Sequence, residues 1–381
     1  MLDVLIVGAG PAGAVAATVL ARGGARVRLV DRARFPRDKL CGDTVNPGTL
    51  ALLNRLGMAA AINARGLPID GMIVTGADGV AVQSPYPAGV QGRALVRRDL
   101  DWALVEHATA AGAEFAPATM ARGAVFDEQR KGVVRGVVVD DGAKRRTMHA
   151  RIVIAAAGRR SALAFGLGLA RHPPRPRRWA IGAYFEHVSH LSAFGEMHVR
   201  PGVYIGVAPI PGGLANVCVV KPWDGAGRRF GDPAALLQRE LAGDAVLRAR
   251  FAGARMVASP VVLGPLAVDV RHAPLEGLLL AGDAAGFIDP MTGDGMRFAV
   301  RGGELAALAA LRALDHGWDG IHAGLARARQ HEFGAKWRFN RTLRALVASP
   351  AAIRVGRLVA SRAPAVLRAV VRRAGDCGLQ P

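Results

Sequence analysis

The first 31 residues constrain the fold more than any other stretch. Asp3-Val4-Leu5-Ile6-Val7 is a short, apolar, β-branched run of the kind buried in a parallel sheet. It leads into Gly8-Ala9-Gly10-Pro11-Ala12-Gly13 and then an Ala-rich helical segment through about Arg22. A second strand, Ala25 to Val30, ends at Asp31, with Arg32 beside it. In this strand–GxGxxG–helix–strand–acid order, Gly8 permits the tight turn and Gly10 lets backbone amides approach a pyrophosphate. Gly13 lets the helix pack on the strand. The helix start at Pro11 and Ala12 offers free N–H groups and a positive dipole end to phosphate. Asp31 lies 21 residues past Gly10, where a carboxylate receives hydrogen bonds from an adenosine ribose. The pattern predicts a site for an ADP-containing cofactor. Residues 4–21 carry no charge over 18 positions, the length of a short membrane span. The bunched glycines and Pro11 argue against a span, and no basic segment precedes them as in a signal peptide. A soluble or peripheral protein is expected.

A second glycine-rich element lies near the other end. Leu278-Leu279-Leu280-Ala281 reads as a strand running into Gly282-Asp283-Ala284-Ala285-Gly286-Phe287. Then come Ile288-Asp289-Pro290-Met291-Thr292-Gly293-Asp294-Gly295-Met296 and a helix from about Arg297 to Ala313. Asp283 offers a carboxylate to a hydroxyl-rich chain such as ribityl. Amides from Gly293 through Asp294 and Gly295 to Met296 can face an anionic flavin ring. Here the chain resembles the glutathione-reductase-type FAD enzymes, and within them the branch of aromatic hydroxylases, flavin halogenases and geranylgeranyl reductases. Phe35-Pro36-Arg37-Asp38-Lys39-Leu40-Cys41-Gly42-Asp43 resembles the PR-K-CG stretch of the geranylgeranyl-reductase group. The stretch from Arg97 to Leu104 resembles a helix start whose arginine contacts FAD. Gly158-Arg159-Arg160-Ser161 resembles the branch's ADG-x-x-S turn, with Ala157 in place of the Asp.

The resemblance implies an α/β fold: an FAD-binding, Rossmann-like domain of glutathione-reductase type, an antiparallel β-sheet substrate domain and a helical C-terminal tail. The FAD-binding part is expected to be discontinuous, over 1–70, 90–165 and 270–320. The substrate sheet takes 71–89 and 166–269, and 321–381 forms a basic helical region. Ala77-Asp78-Gly79 reads as a hairpin signal. Asp224 to Ala254 reads as a small helical insertion, and 330–374 as two or three short helices. In this branch NAD(P)H serves as a transient reductant without a Rossmann domain of its own.

The halogenases' Trp-rich W-x-W-x-I-P box finds no match in Tyr204-Ile205-Gly206-Val207-Ala208-Pro209. The prenyl reductases' Y-x-W-x-F-P box matches at Tyr204 and Pro209, with Gly206 for its Trp and Ala208 for its Phe. The small residues suit a wider pocket and a ring-bearing substrate. The expectation therefore leans to a flavin monooxygenase acting on a phenolic or polyketide-type lipid. The alternative is a reductase of isoprenoid C=C bonds. Two catalytic candidates stand, each beside a plainer reading. Cys41 is near the flavin or a small buried apolar residue. Tyr204 is a pocket donor or a half-buried strand tyrosine. His187, His190 and His198 read as surface histidines, and no metal set is expected.

The net charge is +20, and only five of the 50 basic residues are lysine. Nucleic acid is an unlikely partner, because RNA binders pair basic residues with exposed aromatics and aromatics are 5% of the chain. Between Arg338 and Arg373 there are nine arginines and no acid. Val366, Leu367, Val370 and Val371 fall on one helical side, and Arg368, Arg372 and Arg373 on another. Two readings stand for 338–373: a stretch that touches an anionic membrane surface, or a helix that caps the core. Three cysteines without CxxC spacing fit a reducing, cytoplasmic compartment.

Overall fold

The computed structural model describes all residues except 77–79, 175–177, 223–230, 272, 350–361 and 378–381. Leu2–Val7 lies inside a seven-stranded sheet, between Val27–Val30 and Arg145–Ala155, and is parallel to both. Glu114–Ala116 extends one side and Leu278–Leu280 pairs parallel with Arg145–Ala155. The other half of that 11-residue strand pairs antiparallel with Val134–Asp140, which continues to Met120–Phe126. Period-two alternation divides the apolar residues between the two faces. Val4, Ile6, Leu29, Ile152 and Ile154 face helices, while Leu5, Val7, Val30, Val153 and Ala155 face the Val134–Asp140 side. Each fully buried Val, Leu or Ile among them contributes about 1.5–3 kcal/mol.

Two helices cross the first face, Pro11–Arg22 and Gly295–His316. They pack closely because of glycines. A Cβ at Gly13 would run into the Gly8 carbonyl, and one at Gly303 into the Ala12 carbonyl.

The second sheet has eight strands. Its order is Arg255–Met256, Arg178–Glu186, Leu214–Pro222, Val203–Ile210, Phe194–Arg200, Gly71–Thr75 and Ala81–Pro85, with Val261–Leu263 pairing Arg178–Glu186. One face, with Phe185, Ile205, Val217 and Val219, packs on Leu237, Leu241 and Leu247. Those leucines come from helices Pro233–Gly243 and Leu247–Phe251, the observed part of the expected insertion. The hairpin signal at 77–79 lies outside the described residues, although its flanking strands do pair.

Where two or three short helices are expected over 330–374, the first is longer than expected and starts earlier. A single 28-residue helix, Ile321–Ala348, starts after the left-handed Gly320 (φ 66°) and runs unbroken to Ser349. No proline falls within it; the first follows at Pro350. Among the described residues a further helix covers Pro364–Ala374.

Candidate functional site

Both glycine-rich turns open onto one cavity of about 360 Å³. Gly10, Pro11 and Ala12 line it from one helix start, and Gly293, Gly295 and Met296 from the other. Neither helix has a side-chain cap. The unpaired amides and positive dipole ends of two helices therefore converge on the same space, as an anionic, phosphate-bearing cofactor requires. A Cβ on Gly10 would meet only Arg37 Nη2, at 3.7 Å, so the backbone there is open to a ligand.

Asp31 stands across the first turn. Its Oδ2 accepts the Ala9 amide at 2.8 Å and its Oδ1 the Ala33 amide at 2.9 Å. It thus fastens the turn and keeps a further lone pair on each oxygen for a ribose. Arg32 is exposed beside it, and neither residue lines the cavity. Gly8 and Asp294 stand just behind the lining; Gly42, Gly282, Asp283 and Pro290 are part of it. Among the described residues no donor is hydrogen-bonded to the Asp283 carboxylate. Burial raises its pKa, while Lys39, Arg159 and Arg97 oppose that rise. A cavity-facing carboxylate lacking a donor suits a polyhydroxyl chain. Lys39 also lines the cavity, and burial beside Arg97 pushes its ammonium down to about 8.

Arg97 is buried and locked onto Asp101 by two 2.8 Å hydrogen bonds, and Arg37 joins Asp101 at 3.0 Å. Burial works against the Arg97 charge, but Asp101 and Cys41 outweigh it. Arg97 therefore reaches the cavity as a permanently charged, fixed wall.

The floor is the second sheet, in register across five strands. Val74, Met197, Gly206, Cys218 and Gly182 are successive neighbours in one row; Met72, Gly195, Ala208, Asn216 and Tyr184 form the next. Gly206 and Ala208 are small and central, so the floor is hollowed there into a trough, while the Met72 side chain packs over Gly195. A Cβ at Gly206 would find nothing nearer than 3.9 Å. The small residues read from the sequence thus sit where they widen the space.

Tyr204 is fully buried rather than half-buried. Its hydroxyl donates to Asp289 Oδ1 at 2.6 Å, so its proton is committed to that carboxylate. Burial and Asp289 raise its pKa well above the ordinary value. Asp289 also accepts the Met291 amide and pairs with Arg178 at 3.5 Å, which fixes the turn at Pro290. Cys41 lines the cavity, and its carbonyl accepts from Asn216 Nδ2 at 2.9 Å and the Cys218 thiol at 3.4 Å.

His198 is a correction. It is buried on the opposite face of the sheet, hydrogen-bonded to Thr75 Oγ1 (2.8 Å) and Glu196 Oε2 (2.9 Å). One residue past the trough-facing Met197, it points to the other face. His187 and His190 are exposed, as expected.

Asp43 carries a group the sequence reading missed. Its Oδ2 accepts Asn216 Nδ2 at 2.6 Å and its Oδ1 the Arg97 amide at 3.2 Å. Burial pushes its carboxyl up to about 6 against Tyr184, Asn216 and Arg97, which favour the charge. The folded state holds this proton more tightly than the unfolded chain. Asp43 therefore adds stability in acid that is lost as pH rises from its ordinary 3.8 to about 6. Asp43→Asn is expected to flatten that slope. The left-handed backbone at this position (φ 50°) suits Asn equally well. Urea melts across the window should show the wild type losing stability relative to the variant as pH rises; parallel curves would contradict the assignment.

The tail helix Pro364–Ala374 closes the remaining side. Val370 and Val371 line the cavity, while Val366, Arg372 and Arg373 are exposed. For Val370 and Val371 this is the core-capping placement. Among the described residues no helix is long and apolar enough to cross a membrane.

Fold and cavity together define a flavin-type dinucleotide-binding oxidoreductase of glutathione-reductase architecture. The FAD binding domain family matches residues 1–311, and the chain belongs to that family. It is 34% identical over 327 residues to a menaquinone reductase of Mycolicibacterium smegmatis, covering 80% of this chain and 75% of that one. It is 30% identical over 327 residues to a digeranylgeranylglycerophospholipid reductase of Methanosarcina mazei, covering 83% and 76%. In fold it is similar to a geranylgeranyl bacteriochlorophyll reductase-like protein from Thermoplasma acidophilum, with a TM-score of 0.80, 22% identity and 99% of each chain covered. The chain is an FAD-dependent oxidoreductase of the geranylgeranyl reductase and aromatic hydroxylase superfamily.

Proposed function

We propose that the protein reduces carbon–carbon double bonds in an isoprenoid chain, with NAD(P)H as transient reductant. The observation that carries this reading is the apolar trough, hollowed at Gly206 and Ala208 and continuous with the cofactor cavity. It suits an extended hydrocarbon chain laid across the strands. The similarity to menaquinone and digeranylgeranylglycerophospholipid reductases supports it over hydroxylation of a phenolic lipid, toward which the sequence alone leaned.

When bound, FAD supplies hydride transfer. The protein's part is position and electrostatics. The two helix starts hold negative charge, and Asp283 holds hydroxyls. Met72, Met197, Val74 and Val220 exclude water from the chain to be reduced. Saturating a C=C bond adds a hydride to one carbon and a proton to the other. The cavity is lined by several proton-bearing groups: Lys39, Tyr86, Tyr204 and the thiols of Cys41 and Cys218. Burial raises the Cys218 pKa well above its ordinary value, so this thiol keeps its proton; Cys41 lines the same wall. The Tyr204 proton points at Asp289 and the Cys218 proton at the Cys41 carbonyl. The test is product formation from a prenyl quinol without oxygen.

A further inference from the structure

We infer that helix Pro364–Ala374 is a latched wall of the trough and that Val370 and Val371 set how much prenyl chain it admits. The inference rests on the isoprenoid reading for the chemistry of the occupant. The geometry of the wall stands independently.

The trough floor crosses five strands, four inter-strand steps of about 4.8 Å, and so extends about 19 Å. Beyond Gly71–Thr75 the last strand is Ala81–Pro85, and the tail helix packs on it, with Ser84 Oγ donating to the Arg368 carbonyl at 3.4 Å. From there the helix runs to Gly375, whose carbonyl accepts the Gly48 amide at 3.4 Å. Val370 and Val371 turn into the cavity over this span; Val366, 52% exposed, points out.

A specific device holds the helix end. Lys336, on helix Ile321–Ala348, is 3% exposed. Its Nζ donates to the carbonyls of Arg373 (2.6 Å) and Ala374 (2.9 Å), and to Asp376 Oδ1 (2.9 Å). A buried ammonium at a helix C-terminus satisfies orphan carbonyls and complements the dipole. The same Nζ pairs at 3.1 Å with Asp294, in the turn that opens onto the cofactor cavity. One cation thus ties the tail to the cofactor turn. Arg297 adds a second tie to Asp376 at 3.1 Å. An apolar helix face that only capped the core would need no such latch beside the cofactor turn.

The experiment titrates FAD-loaded protein with polyprenyl alcohols of increasing length, reading the change in flavin fluorescence. In the wild type each added isoprene unit is expected to tighten binding by roughly tenfold or more until the trough is full, after which affinity levels off. Val371→Trp should bring the plateau to a shorter chain, and Val371→Ala should move it to a longer one. Val366→Trp, on the outer face, should leave it in place. A plateau at the same length in all four proteins would overturn the wall. Binding with the expected shifts but no reduction of any prenyl substrate would reject the reductase reading and keep the wall. Reduction without a shift would do the reverse, and no binding at all would overturn both.

Discussion

Replacing Gly10 with valine is expected to yield a folded protein that does not take up FAD. The Gly10 backbone is extended (φ −75°, ψ −177°), a conformation valine adopts freely, and a Cβ there meets no atom closer than 3.7 Å. The added methyls would instead occupy the space through which the first amides of helix Pro11–Arg22 meet a pyrophosphate. Hydrogen bonds to a charged partner are worth about 1.5–3 kcal/mol each. Losing two of them weakens FAD binding by roughly a hundredfold or more. Gly13→Ala serves as the contrast. Its Cβ would collide with the Gly8 carbonyl, so that variant should lose stability and cofactor together. Circular dichroism and flavin absorbance on the same samples separate the cases. A Gly10→Val protein that stays yellow after gel filtration would refute this placement of the cofactor.

The second large effect is expected from Lys336→Met. The substitution keeps the length of the side chain and removes a cation that faces Asp294 and Asp376 and two helix carbonyls. Breaking a buried pair by removing one partner costs about 3–5 kcal/mol, because the other charge stays buried. Burial already raises the Asp294 pKa, and Lys336 opposes the rise. Without Lys336 the Asp294 pKa should rise further, so protonation relieves the variant in acid. The stability gap to the wild type should be widest at neutral pH and narrow as pH falls. The tail should also become open to protease at Arg368, Arg372 and Arg373. Equal melting temperatures at neutral pH, or a tail no more readily cleaved, would contradict the latch.

The cofactor half of the site was legible in the sequence because its signals are local. A strand, a glycine turn and a helix start are neighbours along the chain, and their geometry follows from residue type. The role of Asp31 was read only in part, since a sequence cannot show that its two oxygens also tie down the Ala9 and Ala33 amides. The trough was harder to see. Gly206 and Ala208 could be read as small, but not that register sets Gly206 between Met197 and Cys218. Register likewise placed His198 on the far face. Pro350 and Pro364 marked helix ends in the sequence, but nothing local showed that the helix ending before Pro350 reaches back to Ile321. Lys336 left one compositional trace. In a chain where lysines are five of 50 basic residues, an amine stands where arginine is the rule. Lys39, at the cavity, and Lys336, at the latch, are two of those five. The Lys336 ammonium, with three rotatable donors, meets the Arg373 and Ala374 carbonyls and Asp376 at once.

The central claim is that this flavoprotein saturates an isoprenoid double bond. It is tested most directly by a single turnover under strict exclusion of oxygen, with FAD-loaded protein, chemically reduced beforehand, mixed with a prenyl quinol, whose ring cannot itself take up the flavin's electron pair. The account predicts that the flavin absorbance of the oxidised state returns and that the recovered quinol has gained two hydrogens in its side chain, as read by mass spectrometry. An unchanged side chain without oxygen, with a hydroxylated product appearing once air is admitted, would contradict it.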